Sequence, residues 1–245
     1  GGGEGSAAMV EHHASILARH FRVIFYDRRG AGKSENPAEG FSLETYPEDL
    51  HSLLLQLDVT RAHILGSSAG GPIAMQFALD HPEMTETLLL INTMSYCQED
   101  ERAVRQQELE QILVCQASAG DSADVLEGRW PGLSRREPAR FQALLETSQE
   151  QVDAIAKTIQ SYLDIGNSLE SRLSELTMPT LIVHGDADSR IPPHGGRQLQ
   201  NSISTSELYI IPGAEHGLLS NEPRAVRNLI FQFLERFASV SSSAI

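Results

Sequence analysis

The amino-acid sequence predicts an α/β protein, and two features of its 245 residues lead to that prediction. Short, continuous apolar runs recur along the chain, as is typical of strands buried on both faces of a parallel sheet. Between these runs, apolar residues repeat at the spacing of one face of a helix. Because the two patterns alternate, we expect a mostly parallel, doubly wound sheet with helices packed against it.

Five apolar runs are the candidate strands, and they are, in chain order, Phe21–Tyr26, Ala62–Leu65, Thr87–Ile91, Thr180–Val183 and Leu208–Ile211. Two helices have the clearest periodicity. One follows Pro47, a residue suited to a helix start, and has leucines at positions 50, 53, 54 and 57. The other follows Pro223 and has apolar residues at positions 226, 229, 230, 233, 234 and 237.

The alternation of strands and helices stops between residues 96 and 175. This stretch has helical patterns, for example at Ile159 and Leu163, but it has no convincing strand. We therefore expect residues 1–95 and 176–245 to form one α/β core, and residues 96–175 to form a helical insertion.

The composition disfavours several classes of partner. The chain has 33 acidic and 19 basic side chains and a formal charge of −14, which disfavours binding to nucleic acid or to anionic membranes. Cys97 and Cys115 match neither a disulfide framework nor a zinc pattern. No run of 18 apolar residues occurs, so we expect no membrane span. No signal peptide is visible, which predicts a cytoplasmic protein, and the oligomeric state stays open.

The stretch Arg28–Ser34 ends in Gly-Lys-Ser and looks like the end of a phosphate-binding P-loop. The P-loop pattern requires a glycine at the position of Asp27, and a carboxylate there would repel phosphate. Lys33 is also followed by a turn-forming segment, where a P-loop would open a helix. We therefore expect no phosphate-binding site in this stretch.

The most informative motif is Gly66-Ser67-Ser68-Ala69-Gly70, which lies between a predicted strand and a helical pattern. It is G-x-S-x-G in the strand–turn–helix context of a nucleophile elbow. Small residues at positions 66 and 70 let the chain turn sharply, so that the Ser68 hydroxyl projects above the sheet near a helix N-terminus. We expect Ser68 to be a nucleophile, and the alternative is a helix-capping serine at a tight turn.

A serine hydroxyl needs a base and an orienting acid before it can act as a nucleophile. Asp186 and Asp188 follow the predicted strand at 180–183, and His216 follows the one at 208–211. The carboxyl ends of parallel strands meet at one edge of a sheet, where open α/β proteins place their sites. The two loops can therefore offer an acid and a histidine to Ser68.

Together these motifs resemble the α/β-hydrolase family with a helical cap, and the resemblance covers nearly the whole chain. Residues 27–34 are similar to the family's D-x-R-G-x-G-x-S turn, residues 185–188 to its G-x-x-D acid loop, and residues 213–216 to its G-x-x-H loop. The resemblance implies that Ser68 is the nucleophile, Asp188 the acid and His216 the general base. Asp186 is then a turn residue hydrogen-bonded to its own backbone, and residues 96–175 are the lid.

The resemblance also implies an oxyanion hole formed by the amide of Ala69 and by one from Gly2 or Gly3. Family members begin with strands that lead into this glycine loop, whereas this chain begins at the loop, so the N-terminal strands are expected to be missing. One missing strand would lie between those ending at Asp27 and Leu65, and its loss would leave backbone groups unpaired. Such a truncated chain could have lost a signal peptide, and it could be unstable or inactive.

The function that the resemblance implies is hydrolysis of a small carboxylic ester or related acyl substrate through an acyl-enzyme, with no cofactor or metal. The alternatives on the same fold are a C–C bond hydrolase, a lactonase, a thioesterase and a cofactor-free peroxidase-type enzyme. An alternative of another class is a non-catalytic ligand-binding protein. Haloalkane dehalogenases and epoxide hydrolases are disfavoured because they have aspartate at the position of Ser68. The aminopeptidase branch usually has tryptophan at the position of Ala69.

The lid is expected to build much of the substrate pocket, and the candidate lining residues are Leu126, Trp130 and Phe141. Four further histidines are expected to be structural or at the surface, and these are His63, His81, His184 and His194. The pair His12-His13 is expected on a surface helix, and we expect no metal there.

Overall fold

The computed structural model describes residues 17–37, 39–95, 102–103, 105–107, 109–110, 122–129, 131–136, 138, 141–142, 156–157, 159–161, 163–164, 168–221 and 223–237. Within these residues one sheet is formed by β1 (Ala62–Ser67), β2 (Thr85–Ile91), β3 (Thr180–Gly185) and β4 (Ser206–Ile211). The strands lie in the order β1-β2-β3-β4, and every neighbouring pair is parallel. Their carboxyl ends therefore lie at the same edge of the sheet.

The described helices are α1 (Thr45–Gln56), α2 (Gly70–Asp80), α3 (Ser122–Arg129), α4 (Leu133–Arg136), α5 (Ser168–Arg172), α6 (His194–Ser202), α7 (Leu218–Asn221) and α8 (Pro223–Glu235). Two short 3₁₀ helices, Pro82–Met84 and Leu173–Glu175, precede β2 and β3. The two helices predicted from periodicity, α1 and α8, are confirmed. Helix α1 begins two residues before Pro47, and the N–H of Thr45 donates to the Ser42 hydroxyl at 3.2 Å.

Both faces of the central strands β2 and β3 are buried, which explains why these strands read as continuous apolar runs. Leu88 and Leu90 of β2 pack into a cluster with residues of α1, α2 and α6. Leu89 and Ile91, which alternate with them, pack into a second cluster with residues of α8. Full burial of one such side chain contributes about 1.5–3 kcal/mol. The sheet is therefore held between two helical layers, as the alternating patterns predict.

The predicted strand Phe21–Tyr26 is wrong, because residues 22–28 have no regular secondary structure. Within the described residues β2 is the strand neighbour of β1, and no strand pairs with the other edge of β1. Ile24 packs against the cluster on the α1 side of the sheet, whereas Phe25 is 42% exposed and Leu65 of β1 is 38% exposed. An apolar run makes a strand only where a partner completes its hydrogen-bond ladder.

The segment 27–34 folds as a turn around the side chain of Asp27. Gly30 and Gly32 have φ angles of 73° and 53°, which glycine adopts without strain. The N–H of Lys33 donates to a carboxylate oxygen of Asp27 at 2.9 Å, and a side chain at Gly32 would collide with that carboxylate. The carboxylate therefore takes up the Lys33 amide, which a P-loop would offer to phosphate.

The described residues between 96 and 175 are helical wherever they have regular structure. Leu109, Ala156, Ile159 and Leu163 form an apolar cluster of their own. Among the contacts of this segment with the rest of the chain, Arg105 donates to the Arg190 carbonyl at 2.8 Å and Lys157 donates to the Pro37 carbonyl at 3.1 Å. The division into core and cap stays a prediction. Among the described residues, no helix combines the length and the apolar character needed to cross a membrane.

Candidate active site

Ser68 lies in a strained turn between β1 and α2. Its φ of 51° is uncommon for a residue with a side chain. The N–H of Ser68 donates to the carbonyl of Ile91 at 3.0 Å, which ties the turn to β2. The Ser68 carbonyl accepts from the N–H of Gly71 at 2.9 Å and from the hydroxyl of Thr93 at 2.7 Å. These bonds hold the serine at the carboxyl end of β1.

The glycines of the motif are required by close packing. A side chain at Gly66 would collide with the carbonyl of Gly70 and with Ala74, both in the first turns of α2. A side chain at Gly71 would collide with Thr93, which follows β2. Helix α2 can therefore begin directly against the sheet, and its N-terminus lies next to Ser68.

The three side chains predicted to form a relay are brought together at the carboxyl edge of the sheet. Nε2 of His216 lies 2.9 Å from Oγ of Ser68, and Nδ1 of His216 lies 2.9 Å from Oδ2 of Asp188. Asp188 follows β3 and His216 follows β4, so parallel strands of one sheet position both loops. Both distances are hydrogen-bond lengths.

The partner of each ring nitrogen defines the tautomer of His216. An ionised carboxylate can only accept, so the neutral imidazole carries its proton on Nδ1 and donates it to Asp188. Nε2 is then an acceptor, and the Ser68 hydroxyl is its donor. A histidine in this state can take the serine proton as a general base.

Asp188 is held as a carboxylate by its surroundings. Its side chain is fully buried, which by itself favours the protonated form. The hydrogen bond and charge of His216, with the amides of Ile191 and Arg190, outweigh that effect, and the pKa of Asp188 is lowered. Both amides donate to Oδ1 at 2.9 Å, which leaves Oδ2 directed at His216. The acid is therefore charged and fixed in orientation.

Asp186, the competing acid, lies outside the relay. It is exposed, and its Oδ1 accepts the N–H of Gly213 at 2.6 Å. The expectation that Asp186 bonds within its own turn is therefore wrong, because its partner belongs to the loop that carries His216. Gly213 has a φ of 70°, so this bond stabilises a glycine turn next to the histidine.

Asn92, which follows β2, is a residue that the sequence reasoning missed. It is fully buried and has a φ of 43°. Its amide nitrogen donates to the carbonyls of His216, at 2.6 Å, and Glu215, at 3.1 Å. Its amide oxygen accepts the N–H of Gly185 at 3.0 Å. Asn92 therefore connects the histidine loop to the start of the acid loop. The signal that could have identified it is an asparagine directly after an apolar strand pattern, where its amide would be buried and need partners.

His184, one of the histidines expected to be structural or at the surface, is fully buried beneath the acid loop. Its Nε2 donates to the carbonyl of Ile191 at 2.8 Å and lies 3.8 Å from Oδ2 of Asp188. Burial lowers the pKa of His184, so the ring is held neutral. Its hydrogen bond to the Ile191 carbonyl connects the two ends of the acid loop. The structural role predicted for His184 is therefore to hold this loop in place.

Of the predicted oxyanion donors, Ala69 lies among the described residues. Ala69 is at the N-cap position of α2, and its amide has no acceptor among the described residues. Gly2, Gly3 and Trp130 lie outside the described residues, and Leu126 is described only as part of the backbone of α3. Phe141 is half-buried, and its place in a substrate pocket stays a prediction.

Comparison with known proteins relates this chain to a wider group of enzymes. The sequence model of one protein family, described as "Serine aminopeptidase, S33", matches residues 1–224. A relative from Yersinia enterocolitica, named "Putative carbamate hydrolase RutD", is 30% identical over 239 residues. That match covers 94% of this chain and 84% of the relative.

Solved structures agree with the fold. A hydrolase from Pseudomonas aeruginosa superposes with a TM-score of 0.80 at 29% identity, covering 95% of this chain and 87% of the other. An alpha/beta hydrolase enzyme from a deep-sea metagenome library of the Medee basin superposes with a TM-score of 0.85 at 20% identity, covering 96% and 86%. The predicted fold class is thereby confirmed.

Proposed function

The chain belongs to this family of α/β-hydrolase enzymes, and on that premise we propose that it is a serine hydrolase acting on a small carboxylic ester or related acyl substrate. Ser68 is the nucleophile, His216 the general base and Asp188 the orienting acid. The observation that supports this most directly is the unbroken pair of hydrogen bonds from Ser68 through His216 to Asp188, each 2.9 Å long. The charged state of Asp188 and the tautomer of His216 suit these roles.

In the first half of the reaction, Oγ of Ser68 attacks the carbonyl carbon while Nε2 of His216 takes the hydroxyl proton. The carbonyl oxygen becomes an oxyanion, which the amide of Ala69 stabilises together with a second donor predicted at Gly2 or Gly3. The C–O bond to the leaving group then breaks, and His216 returns its proton to the departing alcohol. An ester between Ser68 and the acyl group remains.

In the second half, water replaces the alcohol as the attacking group. His216 removes a proton from the water as its oxygen adds to the acyl carbon. The second tetrahedral intermediate breaks its bond to Ser68, which regains the proton from His216, and the carboxylic acid leaves. Throughout both halves the Asp188 carboxylate stays ionised and stabilises the imidazolium.

Asn92 supports the same reaction as a positioning residue. Its three hydrogen bonds connect the segments that carry Asp188 and His216, so the two side chains meet at a defined separation. A positioning error of about 1 Å can lower a rate by about 100-fold. This connection favours catalysis over simple ligand capture, because ligand capture needs no such alignment.

The test is turnover of p-nitrophenyl acetate and p-nitrophenyl butyrate by wild type and by Ser68→Ala. We expect kcat to fall by about 10⁴ to 10⁶, as for other serine nucleophiles. Ser67→Ala is the matched control, because it changes the adjacent serine and should leave kcat within a few-fold. A fluorophosphonate probe should add its mass to wild type and not to Ser68→Ala.

Equal turnover by wild type and Ser68→Ala would contradict the assigned nucleophile. A protein that binds the probe esters without turnover would instead favour the ligand-binding alternative. Lactones, thioesters and amino-acid p-nitroanilides, tested beside the two esters, would distinguish the acyl classes that the same relay can serve.

A further inference from the structure

A second cluster of chemically competent side chains lies away from Ser68. Glu48 and His51 are on α1, and His81 follows the last residue of α2. Oε1 of Glu48 is 3.2 Å from Nε2 of His81, and Oε2 is 3.7 Å from Nδ1 of His51. Since Ser68 precedes the first turn of the 11-residue helix α2 and His81 follows its last, about 16 Å of helix separates the two clusters.

The backbone holds these three residues in a defined arrangement. Glu48 and His51 are three residues apart on one face of α1. The N–H of His81 donates to the carbonyl of Phe77 at 2.8 Å, and the His81 carbonyl accepts from Met84 N at 3.1 Å. The hydroxyl of Thr85 donates to the same carbonyl at 3.1 Å, and the buried Phe77 ring lies 5.0 Å from the His81 ring. These contacts fix the position of His81, whereas the side chains of Glu48 and His51 on α1 are more exposed and can change rotamer.

The chemistry of the three side chains is that of a transition-metal site. Two imidazoles face each other with ring centroids 4.0 Å apart, and one carboxylate contacts both. Zinc is bound by imidazole nitrogens and carboxylate oxygens at about 2.0–2.2 Å in tetrahedral geometry, so its ligand atoms lie roughly 3.3 Å apart. The 3.2 Å separation between Oε1 of Glu48 and Nε2 of His81 is close to that value, and one ligand atom from each of the three residues lies within 4.8 Å of the other two.

The charge and exposure of the cluster suit an incoming cation. Within the described part of the chain, both contacts of the Glu48 carboxylate come from imidazoles. The side chain of Glu48 is 60% exposed, that of His51 27% and that of His81 13%. Solvent therefore has a route to the cluster and can supply the fourth ligand. The rings of His51 and His81 stack at an interplanar angle of 15°, so His51, the more exposed of the two, must rotate before both nitrogens can face one ion.

We propose that Glu48, His51 and His81 bind one divalent transition-metal ion of the zinc type, with water completing its coordination. The ion joins α1 to the end of α2, so it stabilises the packing of these two helices. From the sequence alone His81 is expected to be structural or at the surface, and its contacts with Glu48 and His51 are the reason for assigning it as a ligand. The site is independent of the proposed hydrolytic relay.

The test is isothermal titration of ZnCl₂ into the full chain, with any affinity tag removed and the protein first treated with a chelator. We expect one equivalent of zinc to bind. His51→Gln, His81→Gln and Glu48→Gln should each weaken binding by about tenfold or more, since each removes a ligand.

His20→Gln, His194→Gln and His216→Gln are the controls, and they should keep the stoichiometry and affinity. Zinc should also raise the thermal midpoint of wild type and not that of His51→Gln/His81→Gln.

Two results would overturn the proposal. One is the absence of zinc binding by wild type at about 100 μM metal. The other is binding that survives in His51→Gln/His81→Gln, which would locate the ion elsewhere in the chain. Far-UV circular dichroism without metal checks that each variant is folded. If His81→Gln fails to fold, the more exposed His51 and Glu48 variants decide the question alone. Cobalt(II), as a substitute ion, should give tetrahedral d–d absorption with wild type and lose it in those variants.

Discussion

The side-chain amide of Asn92 donates a 2.6 Å hydrogen bond to the carbonyl oxygen of His216, a residue 124 positions later in the chain. Through its amide oxygen Asn92 also accepts the N–H of Gly185, which ends the strand leading to Asp188. The relative position of the acid and the histidine thus depends on a third residue that is in neither loop. The predictions that follow test how the relay is positioned and held.

Asn92→Asp should separate positioning from the chemistry of the relay. The substitution keeps the size and tolerates the positive φ, but it places a carboxylate oxygen against two carbonyl oxygens. We expect the free energy of unfolding to fall by about 1–3 kcal/mol. We expect kcat to fall by about 10- to 100-fold with a smaller change in KM. Urea unfolding and turnover of p-nitrophenyl acetate measure these effects. Asn201→Asp, on the exposed face of α6, adds the same charge and should change neither quantity much.

Asp188→Asn and Asp186→Asn should differ sharply in activity. Asn at 188 can present an N–H to Nδ1 of His216 and stabilise the wrong tautomer, so kcat should fall by about 10⁴. Asp186 bonds to Gly213 and not to His216, so its variant should lose less than about tenfold. Steady-state kinetics at one pH above 7 gives both values. A larger loss from Asp186→Asn would reverse the assignment of the acid.

His184 should make the stability of the protein depend on pH. Burial lowers the pKa of His184 in the folded chain, whereas in the unfolded chain it is near the ordinary value of about 6.5. Below about pH 6.5 the unfolded state binds more protons than the folded state, so the free energy of unfolding falls as the pH is lowered toward the pKa of His184 in the folded chain. Well above about pH 6.5, His184 is neutral in both states and does not change the free energy of unfolding.

His184→Gln should therefore flatten the pH dependence, while retaining a donor for the Ile191 carbonyl. The free energy of unfolding from urea titrations between about pH 5 and pH 7.5 measures the slope. Burial also lowers the pKa of His63, so part of the slope should persist in the variant. His20→Gln, at an exposed position, is the control. An unchanged slope in His184→Gln would show that other groups cause it.

Gly66→Ala should disrupt the turn that carries Ser68. The added methyl group would collide with the backbone of Gly70 and Gly71 and with the side chain of Ala74. We expect a loss of about 1–3 kcal/mol in stability from overpacking, with a loss of activity as α2 shifts. Thermal unfolding and ester turnover give the two measurements. Gly128→Ala in α3 meets nothing within 4 Å and should be neutral or slightly stabilising.

The elements that could be predicted from the sequence are those with local patterns. Four of the five candidate strands form, and so do helices α1 and α8. The apolar pattern that predicts each of them lies within the element itself. The serine motif is similarly local, because its glycines and its neighbours are consecutive. The fifth candidate, Phe21–Tyr26, has the same apolar pattern as the others and yet forms no strand, because a ladder needs a partner that the pattern does not specify.

The sequence by itself determined the order of the parts: a serine turn after one strand, an acid after another and a histidine after a third. Since parallel strands end at one edge, that order was enough to predict that the three side chains lie near one another. The resemblance to the G-x-x-D loop also favoured Asp188 over Asp186 as the acid. Only the tertiary structure decided that Asn92 and His184 support the loops, and that Glu48, His51 and His81 meet. These contacts join segments up to 124 residues apart through single side-chain atoms. Such contacts have no periodicity or spacing in the sequence, because the packing of the whole sheet and its helices sets the distances.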